Sequence, residues 1–178
     1  MTTLETLLTD PDMSGVWSLV PDRSAITFKV KNMWGLLSVK GRFTEFGGDA
    51  QLTGNGAVFG RIDIRAASIS TGIGRRDQHL RSADFFDVER FEKIGVAVTE
   101  VHPTKGKAAD LRAEFTVKGI TAPLPLPATI TALDDGSIQI SGETKVDRSQ
   151  FDLGWNRLGM MGATVTVAGD VVFVRAAR

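Results

Sequence analysis

A two-residue alternation of apolar and polar side chains recurs along the chain and constrains its fold more than any other feature. In residues 25–31 the second, fourth and sixth side chains are Ile, Phe and Val, with Thr or Lys between them. Similar alternation returns in residues 37–43, 58–65 and 111–118. Because successive side chains of a β-strand point to opposite faces, each segment is predicted to be a strand with one buried and one solvent-facing side.

Further segments rich in apolar and β-branched residues bring the predicted number of strands to about eight. These segments are residues 94–101, 124–133, 138–146 and 164–174. Many antiparallel strands with little helix predict a sandwich or a closed barrel, and closure removes edges that could pair with other chains. The predicted fold is therefore all-β, a single antiparallel barrel of about eight strands, whose interior is filled by side chains or holds one small ligand.

Helix is predicted in only two places. A short helix is expected in the connection around Arg75–Ser82, which contains no Pro or β-branched residue, and a loosely attached turn is expected over Thr2–Leu8. Residues 1–14 are accordingly interpreted as an N-terminal arm and residues 15–178 as one barrel domain. The alternating Pro and Leu of residues 123–127 predict an edge or the start of a strand, since Pro cannot donate to a ladder.

The composition argues against several classes of function. Lys and Arg total 21, as do Asp and Glu, so no overall field favours nucleic acid. The chain has no Cys, which removes disulfides and thiol chemistry. Its first residues lack the basic and apolar regions of a secretory signal, so a cytoplasmic protein without stable membrane insertion is expected.

Catalysis and cofactor binding are not supported by any motif. The only imidazoles are His79 and His102, and neither belongs to a nucleophile elbow or a metal-binding pattern. Gly72-Ile73-Gly74 lacks the remaining residues of a phosphate-binding loop. The sequence therefore predicts no catalytic residue, no metal ligand and no cofactor.

A set of motifs that spans nearly the whole chain resembles the YceI family. The motifs are Asp22-Arg23-Ser24, Gly41-Arg42-Phe43, S-I-S-T-G at 68–72, R-D-x-H-L-R-S-x-D-F-F-D at 76–87, and V-D-R-S-x-F-D-L-G at 146–154. The resemblance implies a lipocalin-like barrel that binds a polyisoprenoid or an isoprenoid quinone in its lumen, commonly as a homodimer. In lacking a secretory signal, the chain resembles the cytoplasmic branch of that family.

Three groups of residues are candidates for contact with such a ligand. The inward-facing strand residues, which would equally serve a solid core, are Phe28, Val30, Phe43, Ile62 and Ile64. Apolar residues in Gly-rich connections, which fit a pocket mouth or a dimer interface, are Trp34, Leu37, Trp155, Leu158, Met160 and Met161. The connection between residues 70 and 87 contributes His79, Leu80, Phe85 and Phe86.

Charged residues in the two longest motifs are given structural roles. Arg76, Asp77, Arg81 and Asp84 are expected to form charged pairs at helical spacing that hold the connection on the barrel. Asp147, Arg148 and Asp152 are expected to form salt bridges at the end of a strand.

The sequence thus predicts a protein that binds, stores or transports a long amphiphilic lipid without converting it. Two alternatives stay open. One is a structural or interaction protein whose barrel is filled by side chains and whose Trp and Met residues form a dimer interface. The other is a lipid-modifying enzyme.

Overall fold

The computed structural model describes residues 4–176, apart from the side chain of Arg157, and an antiparallel sheet dominates them. The strands are β1 (Gly15–Leu19), β2 (Ala25–Asn32), β3 (Leu37–Phe43), β4 (Phe46–Leu52), β5 (Val58–Arg65), β6 (Ile69–Ser70), β7 (Lys93–Pro103), β8 (Ala108–Val117), β9 (Ile120–Ala132), β10 (Ile138–Asp147) and β11 (Thr164–Arg175). The α-helices are α1 (Leu4–Thr9) and α2 (Gly74–Arg81), and single-turn 3-10 helices occupy several connections.

Eight of these strands close into a barrel, which confirms the predicted fold class. Their order is β1, β4, β5, β7, β8, β9, β10 and β11, and β1 pairs with β11 to complete the circle. Trp17 of β1 lies opposite Arg175 of β11, whose guanidinium stacks over the indole ring. The alternation seen in the sequence of β5 and β8 has its cause here, because one face of each barrel strand is turned to the interior.

The eight strands of the barrel are not the eight that the alternation predicted. Strands β2 and β3 were expected in it, but they form a hairpin that continues past it: β2 pairs with Val165–Asp170 of β11, and β3 pairs with β2 and β6. Strands β1, β4 and β6 were not expected. The sequence of β4, FGGDAQL, contains residues that disfavour strands, and its pairing with β1 and β5 overrides that local preference.

The Pro-containing part of β9 has a ladder on one side only. Residues 120–129 pair with β8, but the pairing of β9 with β10 covers only residues 128–132. The missing donors of Pro123, Pro125 and Pro127 share one side of the strand, because alternate residues of a strand direct their N–H groups the same way. The expected edge therefore exists on the β10 side, where the Thr144 hydroxyl donates to the Pro125 carbonyl.

Apolar side chains are buried in two clusters, one at each end of the barrel. At the lower end, Trp17, Leu52, Leu111 and Phe173 pack together with the leucines of α1. The sequence predicted a loosely attached turn at this point, but Leu4, Leu7 and Leu8 are all buried. An isolated helix of six residues is marginal in water, so α1 owes its stability to this packing, which no local signal reveals.

The upper end is closed by the connection between β6 and β7. Helix α2 contributes Leu80, and the following turn contributes Phe85, to a cluster that also holds Phe43, Phe151 and Leu153. The helix predicted around Arg75–Ser82 is therefore α2, which begins and ends one residue earlier than predicted. Helix α2 closes the end of the barrel from which the β2–β3 hairpin projects.

Two further observations concern the described part of the chain. None of its helices has the length and apolar character needed to cross a membrane. No group of three or more His, Asp or Glu side chains in residues 4–176 is arranged so that it could hold a metal ion.

The packing of α1 predicts a clear contrast between two substitutions. Leu8, which is 6% exposed, fills the lower cluster, so Leu8→Ala is expected to lower the free energy of unfolding by about 2–5 kcal/mol. The exposed neighbour Glu5 is the control, and Glu5→Ala should change it by no more than about 0.5 kcal/mol. Urea unfolding of both variants measures this, and equal midpoints would show that α1 is a loose arm.

Candidate functional site

A cavity of about 270 Å³ lies inside the barrel between the two apolar clusters. Nearly every strand contributes to its wall, and the lining side chains are apolar apart from Thr27, Arg61 and Arg148. The side chain of Arg61 pairs with Asp63 and is largely exposed, so Arg148 is the buried charged group among the lining residues that the structure describes. Such a cavity suits an apolar guest, because it offers water very few partners.

The structure brings nine of the fifteen predicted site residues to this cavity. They are Phe28, Val30, Phe43, Ile62, Ile64, Leu80, Phe85, Phe86 and Met161. Their contact with a ligand stays a prediction, since a side chain can line a cavity and still serve only the core. Many lining residues absent from the predicted set come from β7 to β11 and from α1, and alternation was the signal that could have found those on strands.

The other six predicted residues lie outside the lining. Trp34, Leu37 and Leu158 are exposed, and the Met160 carbonyl accepts a hydrogen bond of 3.1 Å from the Trp34 amide. This bond, together with one of 2.8 Å from Gly162 N–H to the Lys31 carbonyl, holds the turn after β2 against residues 155–162. The remaining two, His79 and Trp155, contact each other at the upper end.

Glycines in the wall divide into two kinds. A Cβ atom at Gly41 would lie 2.3 Å from the ring of Phe28, so this glycine is required for the ring to lie across the strand. At Gly60 and Gly169, which line the cavity, a Cβ atom would meet nothing closer than 3.8 Å. The small residues at these two positions leave space for the cavity.

Arg148 holds the loop that follows β10. Its guanidinium donates to the carbonyls of Leu153, Trp155 and Gly162, with 2.8 Å between Nε and the Gly162 oxygen. The expected salt bridge is not found, because no carboxylate of the described residues lies within ion-pair distance of this guanidinium. Burial lowers the pKa of Arg148, an effect that Asp147 opposes, yet an arginine stays charged at any ordinary pH.

Asp147 and Asp152 act on either side of that arginine. The hydroxyl and the backbone N–H of Ser149 both donate to Asp147, which lowers the pKa of this carboxyl. These two hydrogen bonds cap the 3-10 turn at Arg148–Phe151 and stabilise the fold at neutral pH. Their contribution is lost as the pH falls through the lowered pKa of Asp147. Asp152 forms the expected ion pair, with Lys118 at 3.4 Å.

Helix α2 is attached to the barrel by the charged residues of the long motif. The buried carboxylate of Asp77 accepts from the backbone N–H and hydroxyl of Thr71, and Arg76 donates to the hydroxyl and carbonyl of the same residue. Arg81 donates to the carbonyls of Ala67 and Ile69. The attachment was predicted, but it depends on hydrogen bonds to residues 67–71 and not on charged pairs within the helix.

His79 lies in an aromatic cluster at the upper end. Its ring packs edge-on against Trp155, with 4.4 Å between centroids, and against Phe85 at 5.1 Å. Its Nε2 lies 2.8 Å from a carboxylate oxygen of Asp84. The cluster joins α2 to the loop that Arg148 holds, so it links the two parts of the upper closure.

Removal of the Arg148 guanidinium is expected to be costly. Arg148→Met leaves three carbonyls without their donor and should lower the free energy of unfolding by about 3 kcal/mol. Arg112→Met, which removes an exposed guanidinium paired with Glu100 on the outer face of β8, should cost at most about 1 kcal/mol. Chemical denaturation of both variants measures these free energies. If Arg148→Met lowers the free energy of unfolding no more than Arg112→Met does, the guanidinium of Arg148 does not hold the loop.

Comparison with known proteins gives a consistent result. A family model described as a YceI-like domain matches residues 17–173. A UPF0312 protein of Pseudomonas putida strain F1 is 27% identical over 143 residues, which cover 79% of this chain and 73% of that protein. A second, from strain GB-1, is 30% identical over 105 residues, covering 59% of this chain and about half, 54%, of its own length.

The fold has counterparts among solved structures. A polyisoprenoid-binding domain from Saccharophagus degradans, implicated in plant cell wall breakdown, superposes with a TM-score of 0.75 and 16% sequence identity. The superposition covers 90% of this chain and 98% of that domain. At this level of identity, the similarity demonstrates a shared fold.

Proposed function

Because the chain belongs to the YceI-like family, we propose that it binds a long amphiphilic lipid, of the polyisoprenoid or isoprenoid quinone class, inside its barrel. The observation that carries the proposal is the apolar cavity of about 270 Å³ between the two clusters. The similarity to a polyisoprenoid-binding domain supports the chemical class. Storage or transport without chemical conversion is the function that such a cavity serves.

The size of the cavity limits how much of the ligand it holds. Pockets for small molecules usually measure roughly 300–1,000 Å³, so this one lies just below that range. A long isoprenoid tail therefore needs the wall to adjust, and Met161, with its flexible side chain, is a lining residue suited to this. Otherwise only one segment of the tail enters the barrel.

The polarity of the two ends favours one orientation of the proposed ligand. At the lower end, the leucines of α1 close the barrel by packing with other apolar side chains. The upper end contains the buried guanidinium of Arg148 and the His79–Asp84 pair. We therefore place the tail toward the lower end and the polar head group toward the upper end.

The first test is retention of lipid. Protein purified from its own host is expected to release a long-chain lipid when it is denatured in organic solvent, and mass spectrometry of the extract identifies it. Repeated samples without lipid, together with no change in melting temperature on addition of a polyprenyl quinone, would favour the alternative of a barrel that only its side chains fill.

A substitution that occupies the cavity tests the site without disrupting the fold. Gly169→Leu places an apolar side chain into the cavity, where the introduced Cβ has no neighbour within 4 Å. We expect at least a tenfold loss of retained lipid with an unchanged or higher melting temperature, because the change adds buried apolar surface. Gly47→Leu is the matched control, since Gly47 also has open space around its Cβ but does not line the cavity. Equal retention by both variants would place the ligand elsewhere.

The enzyme alternative depends on His79, whose contact with Asp84 resembles that of an oriented base. If His79 only helps to hold a head group, His79→Ala should weaken binding by about 1 kcal/mol, the scale of one hydrogen bond. The assay incubates wild type and variant with host lipid extract and compares the products. A product formed by the wild type alone would establish a lipid-modifying enzyme.

The predicted cytoplasmic location and homodimer stay predictions.

A further inference from the structure

Exposed apolar side chains are concentrated at the upper end, on two neighbouring loops. This apolar tip consists of Met33, Trp34, Leu36, Leu37 and Leu158. Trp34 is 65% exposed, Leu36 82% and Leu158 76%, and the hydrogen bond between Trp34 N–H and the Met160 carbonyl holds the two loops together. None of these side chains lines the cavity, so the lumen does not explain them.

The backbone of the tip adopts an unfavourable conformation. Met33, Trp34 and Leu158 have φ angles of 50°, 54° and 56°, in the left-handed region that side chains larger than glycine rarely occupy. Such conformations concentrate at binding and functional sites, where they position a side chain for a partner. Here they present large apolar side chains to the outside of the molecule.

A basic surface lies directly behind the apolar tip. The basic hairpin is defined by the cations on the outer face of β2 and β3, which are Lys29, Lys31, Lys40 and Arg42. Lys29 and Lys40 are directly opposite each other in the ladder, and two like charges in this position destabilise a sheet. All four are exposed, and none forms an ion pair with any described residue.

Cations outnumber the acidic residues near this surface, and the nearest acid of β11, Asp170, lies one row beyond them, opposite Ala25. The neighbouring outer face of β10 carries Glu143 and Asp147 together with another cation, Lys145. Strand β11 lies between β10 and β2, and its outward residues in these rows are Thr164, Thr166 and Ala168. The chain as a whole has a formal charge of +0, so the excess of cations here is a local property created by the topology.

We propose that the apolar tip and the basic hairpin form a docking surface for an anionic lipid bilayer. The apolar side chains enter the interface between head groups and acyl chains, and the cations contact the phosphates. Leu37 of the tip pairs with Asn32 at the end of the ladder, and Lys29 and Lys40 stand three residues, about 10 Å, behind that pair. Peripheral segments bury their apolar side chains about 5–10 Å deep, which places the cations at the head groups.

A second copy of the chain suits this surface less well. In a two-fold dimer, the same patch is used by both subunits, so the tips would meet each other. If the two hairpins lay side by side in such a dimer, the four cations of each would approach those of the other subunit, with no acidic residue on either hairpin to separate them. An anionic bilayer satisfies the apolar and the basic residues at once. The proposal is independent of whether the cavity holds a lipid.

Vesicle co-sedimentation tests the docking surface with the full chain. The probes are vesicles of phosphatidylcholine alone and of phosphatidylcholine mixed with phosphatidylglycerol. We expect binding to the mixed vesicles, a blue shift of Trp emission, and loss of binding at about 1 M salt, where charges are screened beyond about 3 Å. Absence of binding to the mixed vesicles at low salt overturns the proposal.

Two double variants assign the binding to the residues named. Lys29→Gln with Lys40→Gln should weaken binding roughly 25-fold, about fivefold for each cation near an anionic surface. Trp34→Asn with Leu36→Ser should weaken it at least tenfold and abolish the emission shift. Both variants alter exposed side chains, so neither melting temperature should fall below that of the wild type.

The controls change the same residue types elsewhere. Lys105→Gln with Lys107→Gln removes two exposed cations from the β7–β8 turn at the lower end, and Phe59→Ser removes an exposed ring from the side of the barrel. Both should bind like the wild type. If the tip and hairpin variants bind as well as these controls, the proposal is wrong. A different result would also contradict the proposal: the wild type is a dimer that does not bind vesicles, and the tip and hairpin variants are monomers. The surface would then be an interface with a second copy of the chain.

Discussion

The pairing of β11 with two different strands along one of its edges is the constraint on which the rest of the structure depends. Residues 173–175 pair with β1 and close the barrel, whereas residues 165–170 pair with β2. Strands β1 and β2 therefore follow each other along β11, separated by the single turn at Pro21–Arg23. Beyond that turn the wall changes. The β2–β3 hairpin continues outward, and the connection that contains α2 closes the upper end where the circle of strands stops.

The cavity follows from how the two ends are closed. Large side chains are gathered at the ends, with leucines of α1 below and with Leu80 and Phe85 of the upper connection above. Between the ends, the wall carries the small residues Ala50, Gly60 and Gly169, which leave the lumen wide. A lumen of constant width filled by large residues would be a solid core, so it is the placement of small residues at mid-height that makes room for a guest.

How much the sequence could predict depended on the range of the interaction concerned. Alternation located β2, β3, β5 and β8 to within a few residues, because it records only which face of a strand is buried. Segments rich in apolar and β-branched residues located β7 and β9 to β11. It did not find β4, whose strand conformation comes from its partners, or the burial of α1, which requires the completed barrel. For the same reason it found inward-facing site residues such as Phe28 and Ile62. It could not find the hydrogen bonds of Arg148, since their acceptors return to that side chain only in the folded loop.

Arg148 connects the two surfaces on which function is proposed. It donates to carbonyls near both ends of the loop that carries Leu158, and its side chain also lines the cavity. Within that loop, Trp155 packs against His79 of α2, so the loop and the helix closing the upper end are in direct contact. The exposed tip and the cavity wall are therefore connected by this guanidinium and by the Trp155–His79 contact, in addition to the strands of the β2–β3 hairpin itself. Because a planar guanidinium fixes several acceptors in a set geometry, neither lysine nor a neutral residue could hold the three carbonyls of this loop in the same way.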